Sequence, residues 1–196
     1  MALLLADDPK RAEPIKKPAG GAKAKPKDSV VTPLNKDLEL VVNFEINQPE
    51  STRGRYRRPY VAIWVEDKDG APVRTLALWV SQGGAGPFQW LPDLKRWYKH
   101  DETRKRIDKL DLFFTMSRPT RQPGKYKVIW DGKDDLGKQR GAGEYVLWIE
   151  SAREHGTYQS MRRAVTLADK PFTEDIKGNV EIKSATIEYR RKAPPK

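Results

Sequence analysis

Three groups of residues in this sequence carry side chains that could do chemistry, and the most acidic group is a turn. Asp131, Asp134 and Asp135 follow Trp130 closely, and their carboxylates could bind calcium. Calcium takes about six to eight oxygen ligands, and the alternating acids followed by a distant Glu of an EF-hand loop are absent here. Turns also use Asp and Gly for backbone reasons alone. The sequence therefore favours a structural turn and predicts no metal and no other cofactor.

A second group surrounds one of the two histidines. His155 stands beside Glu154 and close to Tyr158, a combination that could serve acid–base chemistry. The other histidine, His100, lies in a polar stretch far away in the chain, and no Cys nucleophile or Gly-x-Ser-x-Gly motif is present. We therefore expect a strand corner at His155 rather than a catalytic site, and a protein that is not an enzyme.

The third group alternates cations with aromatic rings. Arg53, Arg55, Arg57 and Arg58 surround Tyr56 immediately before a predicted strand. Such a pattern can bind phosphate and stack on rings, so these arginines are the predicted contact for an anion or a partner. The alternative is a solvated loop whose arginines protect a strand edge. No zinc finger, helix-turn-helix or RNP-type motif accompanies them, so no specific nucleic-acid partner is expected.

The six tryptophans suggest one more surface, because exposed indoles stack on sugars. Three of them lie within predicted strands and are expected in the core: Trp64, Trp130 and Trp148. The other three are the candidates for an exposed aromatic platform: Trp79, Trp90 and Trp97. The alternative is that these also belong to the core.

Strands must position most of these groups, because apolar residues alternate with polar ones along much of the chain. The alternation is clear from Leu38 to Ile46 and on both sides of the Asp69-Gly70 turn. The segment from Trp130 to Glu150 has the pattern of strand, Gly-rich turn and strand, which predicts a hairpin.

Only one segment has apolar residues at helical spacing instead of alternating apolar and polar residues. Trp90, Leu94 and Trp97 share one helical face, which predicts a short helix over residues 92–100 that frays into a loop between 101 and 109. About seven strands with this insert predict an all-β, immunoglobulin-like antiparallel β-sandwich with a disordered N-terminal segment.

The net charge of +11 is concentrated towards the two ends of the chain. Residues 1–29 carry seven Lys/Arg against four Asp/Glu, and residues 190–196 carry four Lys/Arg and no acid. We predict a disordered Lys/Pro/Ala-rich tether over 1–35, a β-sandwich domain over 36–190 and a basic tail over 191–196. The tails are expected to give weak, non-specific binding to polyanions.

Several motifs in order resemble an uncharacterised family of predicted periplasmic bacterial proteins. The resemblance covers about residues 37–190, and its motifs are Arg55–Asp67, Leu91–Tyr98, Trp130–Asp134, Gly143–Tyr145 and Glu150–Tyr158. The Trp-Asp-Gly hairpin is also similar to the immunoglobulin-like domain of the flagellar hook-cap scaffold, as a likeness of fold only.

The resemblance implies a location and a neighbourhood but no catalytic residues. Members of the family are often found beside PepSY-domain membrane proteins and the periplasmic flavin transferase, so a PepSY-type protein is an implied partner. Thr120 lacks the Gly-Ala pair and the preceding Asp of a flavin acceptor sequence, which argues against covalent flavin there. We expect a periplasmic or secreted location. Two interpretations of the short apolar run at residues 1–6 stay open: an ordinary N-terminus, or the end of a signal peptide left by truncation or processing. The leading functional hypothesis is a non-catalytic binding or accessory module, and the alternative is an accessory protein of flavin-linked electron transfer.

Overall fold

The computed structural model describes residues 32–48, 56–82 and 86–193. Nine strands in this part of the chain form two sheets. They are β1 (Leu38–Ile46), β2 (Tyr60–Asp67), β3 (Pro72–Val80), β4 (Ser117–Pro119), β5 (Gly124–Trp130), β6 (Gly143–Ala152), β7 (Tyr158–Leu167), β8 (Phe172–Lys177) and β9 (Ile182–Arg191).

The two sheets pack as a sandwich. The first sheet has the strand order β5-β1-β9-β8 and is antiparallel throughout. The second has the order β4-β3-β2-β6-β7, in which only the short β3–β4 pair is parallel. The predicted all-β antiparallel sandwich is confirmed, while its immunoglobulin-like character stays a prediction.

The main core lies between the sheets and follows the alternation of the strands. Every second residue of β1 is buried: Leu38, Leu40, Val42, Phe44 and Ile46. β2 contributes Val61, Ile63 and Val65 from the other sheet. Full burial of an aliphatic or aromatic side chain stabilises the fold by about 1.5–3 kcal/mol. This double layer therefore supplies much of the stability.

Helices between β3 and β4 form a third layer on the outer face of the five-stranded sheet. They are α1 (Gly86–Trp90), a 3-10 turn (Leu91–Asp93), α2 (Lys95–Asp108) and α3 (Leu112–Met116). A second apolar cluster lies beneath them, in which Leu94 and Trp97 pack against outward-facing strand residues such as Ala62 and Leu78. The helical insert is thus larger than the single short helix predicted.

Helix α2 continues through the charged segment that was expected to fray. Arg104 is buried on this helix and donates from Nη1 to Asp135 Oδ2 at 2.6 Å. Asp101 is also buried, lies 2.8 Å from the Lys105 ammonium group and accepts from the Leu112 amide at 3.2 Å. Charged residues therefore supply the buried contacts of this half of the helix, which ends where Lys109 adopts a left-handed φ of 57°.

The hairpin predicted from Trp130 to Glu150 is wrong. β5 pairs with β1 in the first sheet, and β6 lies between β2 and β7 in the second. The segment 131–142 therefore crosses from one sheet to the other. Trp130 and Tyr145, at its two ends, both face the core, where their rings meet at 5.1 Å. Both edges of β6 are already paired, so it has no edge left for β5.

The sandwich begins before the predicted boundary at residue 36. Leu34 is buried, and its amide donates to the Arg140 carbonyl at 3.2 Å. Pro33 forms a bridge with Gly141. Residues 1–31 of the predicted tether and 194–196 of the predicted basic tail lie outside the described residues. At the other end of the domain, Arg191 is the last residue of β9.

Candidate functional site

Two buried carboxylates lie between the five-stranded sheet and α2. Glu66 on β2 and Glu150 on β6 are both almost completely buried. Each follows a tryptophan by two residues, in Trp64-Val65-Glu66 and Trp148-Ile149-Glu150, so each shares the outer face of the sheet with its tryptophan. Trp64 and Trp148 are direct cross-strand partners, which places the two carboxylates on either side of the tryptophan pair.

Glu150 holds the N-terminus of α2. Its carboxylate accepts from the Arg96 amide and the Trp97 amide, each at 2.9 Å, and from the Tyr158 hydroxyl at 2.6 Å. Leu94, the residue at the N-cap, gives no side-chain hydrogen bond. The first amides of a helix have no partner within the helix, and an acceptor placed there satisfies them. A strand residue thus replaces the missing cap.

Glu66 holds the side chains above the sheet. It accepts from the indole Nε1 atoms of Trp64 and Trp148, both at 2.9 Å. Arg96 donates to both carboxylate oxygens, from Nε at 2.9 Å and from Nη2 at 2.7 Å. A buried charge is tolerated when it is paired and hydrogen-bonded in this way.

Two titratable groups beside these carboxylates, His100 and Tyr158, are uncharged near neutral pH. Burial lowers the pKa of His100, and Glu66, whose Oε1 lies 3.3 Å from His100 Nδ1, only partly opposes this. Burial and the hydrogen bond to Glu150 raise the pKa of Tyr158 to about 12. Tyr158 therefore remains a hydroxyl donor to Glu150 near neutral pH.

A cationic aromatic face lies where α2 leaves the strands β6 and β7 partly uncovered. We define it by five residues: Lys95, Arg96, Trp148, Tyr158 and Arg162. The Trp148 ring stacks on Trp64 with centroids 5.7 Å apart and planes within 7°. The guanidinium of Arg96 lies 4.1 Å from the Trp148 ring centroid, and that of Arg162 lies 5.7 Å away.

Two cations of this face have no carboxylate partner in the part of the chain that the structure describes. Lys95 and Arg162 are exposed; the Lys95 ammonium group lies 4.7 Å from the Tyr158 ring centroid, and the Arg162 guanidinium lies over the Trp148 ring. Arg96, by contrast, is paired with Glu66. The face therefore carries an uncompensated positive charge next to a fixed indole.

Comparison with known protein families gives one match that covers most of the chain. Residues 40–184 match the family described as predicted periplasmic protein (DUF2271). The chain belongs to this family. The match agrees with the predicted family and periplasmic location, and searches of curated proteins and of solved structures gave no match. Within the residues that the structure describes, no helix is long and apolar enough to cross a membrane.

Two of the four arginines predicted to contact an anion or a partner, Arg57 and Arg58, are among the described residues. Arg53 and Arg55 lie outside the described residues. Arg57 pairs with Glu154 at 2.5 Å, and Arg58 donates to the Thr120 carbonyl at 3.5 Å. Both line an open cleft of about 530 Å³ that also contains Glu154. Because Glu154 compensates Arg57, this cleft is less cationic than the sequence suggested.

The predicted exposed platform of Trp79, Trp90 and Trp97 is wrong. Trp79 is 7% exposed because its side chain points between the sheets, where it contacts the rings of Phe44 and Tyr126. Trp97 is 2% exposed because it faces the sheet and donates to the Thr75 hydroxyl at 3.2 Å. Trp90 is half-buried against His155.

Trp148, which was predicted for the core, is also partly exposed. Leu147 and Ile149 point between the sheets, so the alternation of β6 turns Trp148 to the outer face. The repeated Trp-x-Glu pattern of β2 and β6 was the signal that could have located this site from the sequence. An acid inside an apolar strand indicates a buried, partnered carboxylate.

The acidic turn at 131–135 has the structural role that the sequence favoured. Asp134 accepts from the amides of Leu136 and Lys138 at 3.0 and 2.9 Å. Asp135 accepts from the Thr75 amide at 2.9 Å and pairs with Arg104. Asp134 therefore stabilises the turn itself, and Asp135 fastens the sheet-crossing segment to β3 and α2.

Proposed function

We propose that this protein is a non-catalytic periplasmic binding module whose cationic aromatic face takes an anionic ligand with a planar group. The observation that carries the proposal is the indole of Trp148, fixed by Glu66 and Trp64 and flanked by guanidinium groups. Lys95 and Arg162 add positive charge with no carboxylate partner among the described residues. A planar anion can stack on the indole ring and pair with the cations of such a surface.

The rigidity of the face supports a role in binding. Glu66 fixes both the Trp148 ring and the Arg96 guanidinium, and Glu150 fixes the Tyr158 hydroxyl and the first turn of α2. A surface that is already ordered loses little conformational entropy when a ligand binds. Its supporting shell consists of buried hydrogen bonds, as a preorganised site requires.

Arg162 is the cation of the proposed site whose guanidinium no hydrogen bond or ion pair among the described residues holds in place. Its guanidinium lies 5.7 Å from the Trp148 centroid, close to the limit of about 6 Å for a cation–π contact, and the side chain is exposed. A planar ligand can take its place on the ring while the guanidinium moves to the anionic group of the ligand. Arg96 cannot move in this way because Glu66 holds it in two places.

The second candidate function is an accessory role in periplasmic flavin-linked electron transfer, with a PepSY-type membrane protein as partner. The same face supports this candidate, because flavin mononucleotide combines a planar ring with a phosphate. In this version of the proposal the flavin is held reversibly.

Titration with flavin mononucleotide, followed by tryptophan fluorescence and calorimetry, tests both candidates. We expect binding that is weaker for riboflavin, which lacks the phosphate. Arg162→Gln should weaken it about tenfold or more, since a charge-assisted contact is worth about 1.5–3 kcal/mol. Arg163→Gln is the matched control, because Arg163 is the next residue, faces the other side of β7 and pairs with Glu174.

The outcomes separate the two candidates. Binding of flavin mononucleotide and of naphthalene sulfonate with equal affinity would favour the general module over the flavin role. Equal losses for the Arg162 and Arg163 variants would contradict the proposed face. Failure of every planar anion to bind would contradict the proposed function itself.

A further inference from the structure

Two phenylalanines of the helical insert are exposed and in contact with each other. Phe88 on α1 is 62% exposed and Phe114 on α3 is 72% exposed. Their ring centroids are 6.3 Å apart, and both rings also contact the buried Phe113, at 4.8 and 5.1 Å. Contiguous exposed apolar surface of this kind indicates an interaction site. We call these two residues the Phe pair.

The segment that follows the Phe pair carries cations and no acid. From Leu112 to Trp130 there are four basic residues and no Asp or Glu. We call these four residues the basic edge: Arg118, Arg121, Lys125 and Lys127. All four are exposed, and none has an ion pair within the part of the chain that the structure describes. Glu45 lies across from Lys125 in the sheet, but it pairs with Lys183.

The fold brings the basic edge together from both sheets. β4 is the edge strand of one sheet and places Arg118 opposite Trp79. Arg121 lies over the Trp79 ring at 5.6 Å, and Trp79 packs at 5.0 Å against Tyr126 on β5, the edge strand of the other sheet. Lys125 and Lys127 precede and follow Tyr126, so their side chains leave the outer face of β5. The basic edge therefore lies along the margin of the sandwich that β4 and β5 form, and it begins directly after α3.

We infer that the Phe pair and the basic edge dock this protein on an anionic phospholipid surface. Exposed aromatic rings beside uncompensated cations are the composition of interfacial membrane-binding sites, where the rings enter the headgroup region and the cations meet lipid phosphates. A hydrophilic polyanion would use the cations but would gain nothing from the Phe pair. This inference is independent of the proposed ligand face, which lies on β6, β7 and the start of α2.

Vesicle sedimentation of the full chain tests the inference. Vesicles containing equal parts of phosphatidylglycerol and phosphatidylcholine should bind the protein, and vesicles of phosphatidylcholine alone should not. Phe88→Ser with Phe114→Ser should lower partitioning about tenfold or more, because the insertion of apolar surface is lost. Replacing the basic edge by glutamine should have a similar effect, because each cation near an anionic surface contributes to binding.

Matched control variants test whether the loss of any exposed apolar or basic residue lowers vesicle binding. Leu136→Ser with Val180→Ser removes two apolar residues that are also exposed, at 68% and 55%. A charge control replaces four exposed lysines elsewhere by glutamine: Lys36, Lys138, Lys170 and Lys177. Both controls should lower partitioning by about twofold or less.

Heparin chromatography separates lipid docking from attraction to any polyanion. The Phe88/Phe114 variant should elute from heparin at the same salt concentration as the unchanged chain. The inference is overturned if that variant binds vesicles as well as the unchanged chain. It is also overturned if the unchanged chain does not bind anionic vesicles. A third contrary result is a Phe88/Phe114 variant that loses heparin binding and vesicle binding to the same extent.

Discussion

Glu66 is a single residue whose carboxylate sets the positions of three neighbouring side chains. Its four hydrogen bonds come from two indoles and one guanidinium, and no part of the carboxylate depends on bulk water. Removing one partner of a buried ion pair is costly because it leaves the other charge uncompensated. Glu66 therefore sets the geometry of the proposed face from beneath, by holding its partly exposed residues Trp148 and Arg96.

His100 should make the stability of the fold depend on pH. Because burial lowers its pKa in the folded state, the unfolded chain binds a proton first, near the ordinary His pKa of about 6.5. The free energy of unfolding should thus fall as the pH decreases from about 7 through the lowered pKa. His100→Gln should flatten this part of the curve, as measured by urea unfolding at a series of pH values. Parallel curves for the two proteins would show that His100 does not titrate differently on folding.

At the residue scale, the sequence could place only those side chains whose partners are close in the chain. The turn role of Asp134 could be predicted because its carboxylate accepts from amides two and four residues further on. The exposure of a tryptophan depends on which face of a strand or helix is covered, and that was not visible for Trp79 or Trp97. The Trp-x-Glu repeat of β2 and β6 was visible, but its meaning depends on the pairing of strands that are far apart in the chain.

Helix α2 shows how a charged element can be stable without an apolar stripe along its second half. Arg104 reaches Asp135 on the sheet-crossing segment, and Asp101 accepts from the Leu112 amide. Apolar periodicity could predict the first half of α2, where Leu94 and Trp97 pack on the sheet. It could not predict the second half, because the partners of those charges lie on other elements.

Glu150→Ala should destabilise α2 and the strand below it together. The change removes the acceptor of two helix amides and leaves the Tyr158 hydroxyl without its partner. We expect a loss of about 2–4 kcal/mol in the free energy of unfolding, measured by urea denaturation. Glu144→Ala is the control, because Glu144 is exposed on the same strand. An unchanged unfolding midpoint for Glu150→Ala would mean that another group caps α2.

At the scale of elements, the segment 131–142 shows that a local sequence pattern cannot determine which strands pair. Two alternating strands around a Gly-rich turn have the same sequence signature whether they pair with each other or enter different sheets. The pairing is decided by β1 and β2, which occupy the edges that β5 and β6 would otherwise share. The strands could therefore be predicted, but their partners could not.

At the scale of the whole molecule, the strand order separates the two proposed surfaces. The basic edge includes β4, at one margin of the five-stranded sheet, and the cationic aromatic face includes β7, at the other margin. A protein docked on lipid through β4 would thus keep the face on β7 open to the periplasm. Lipid and ligand would not compete for the same residues.

The distribution of charge predicts how the whole chain behaves on a polyanion. Residues 1–31 and 194–196 lie outside the described domain, and residues 32–193 hold less than the full +11. We expect a chain of residues 32–193 to elute from heparin at lower salt than the full chain, because fewer counterions are released. Equal retention would assign the polyanion affinity to the folded domain rather than to the tails.

The cap that Glu150 gives to α2 also fixes an order of events during synthesis. The Arg96 amide and the carboxylate that receives it are 54 residues apart in the chain. The helix is therefore synthesised before its cap, at a stage when the sheet beneath it still lacks the strands β6 and β7. Short helices without tertiary contacts are marginal in water. The helical insert should become ordered only after β6 has paired with β2. The helical layer would thus fold last, although it is encoded in the middle of the chain.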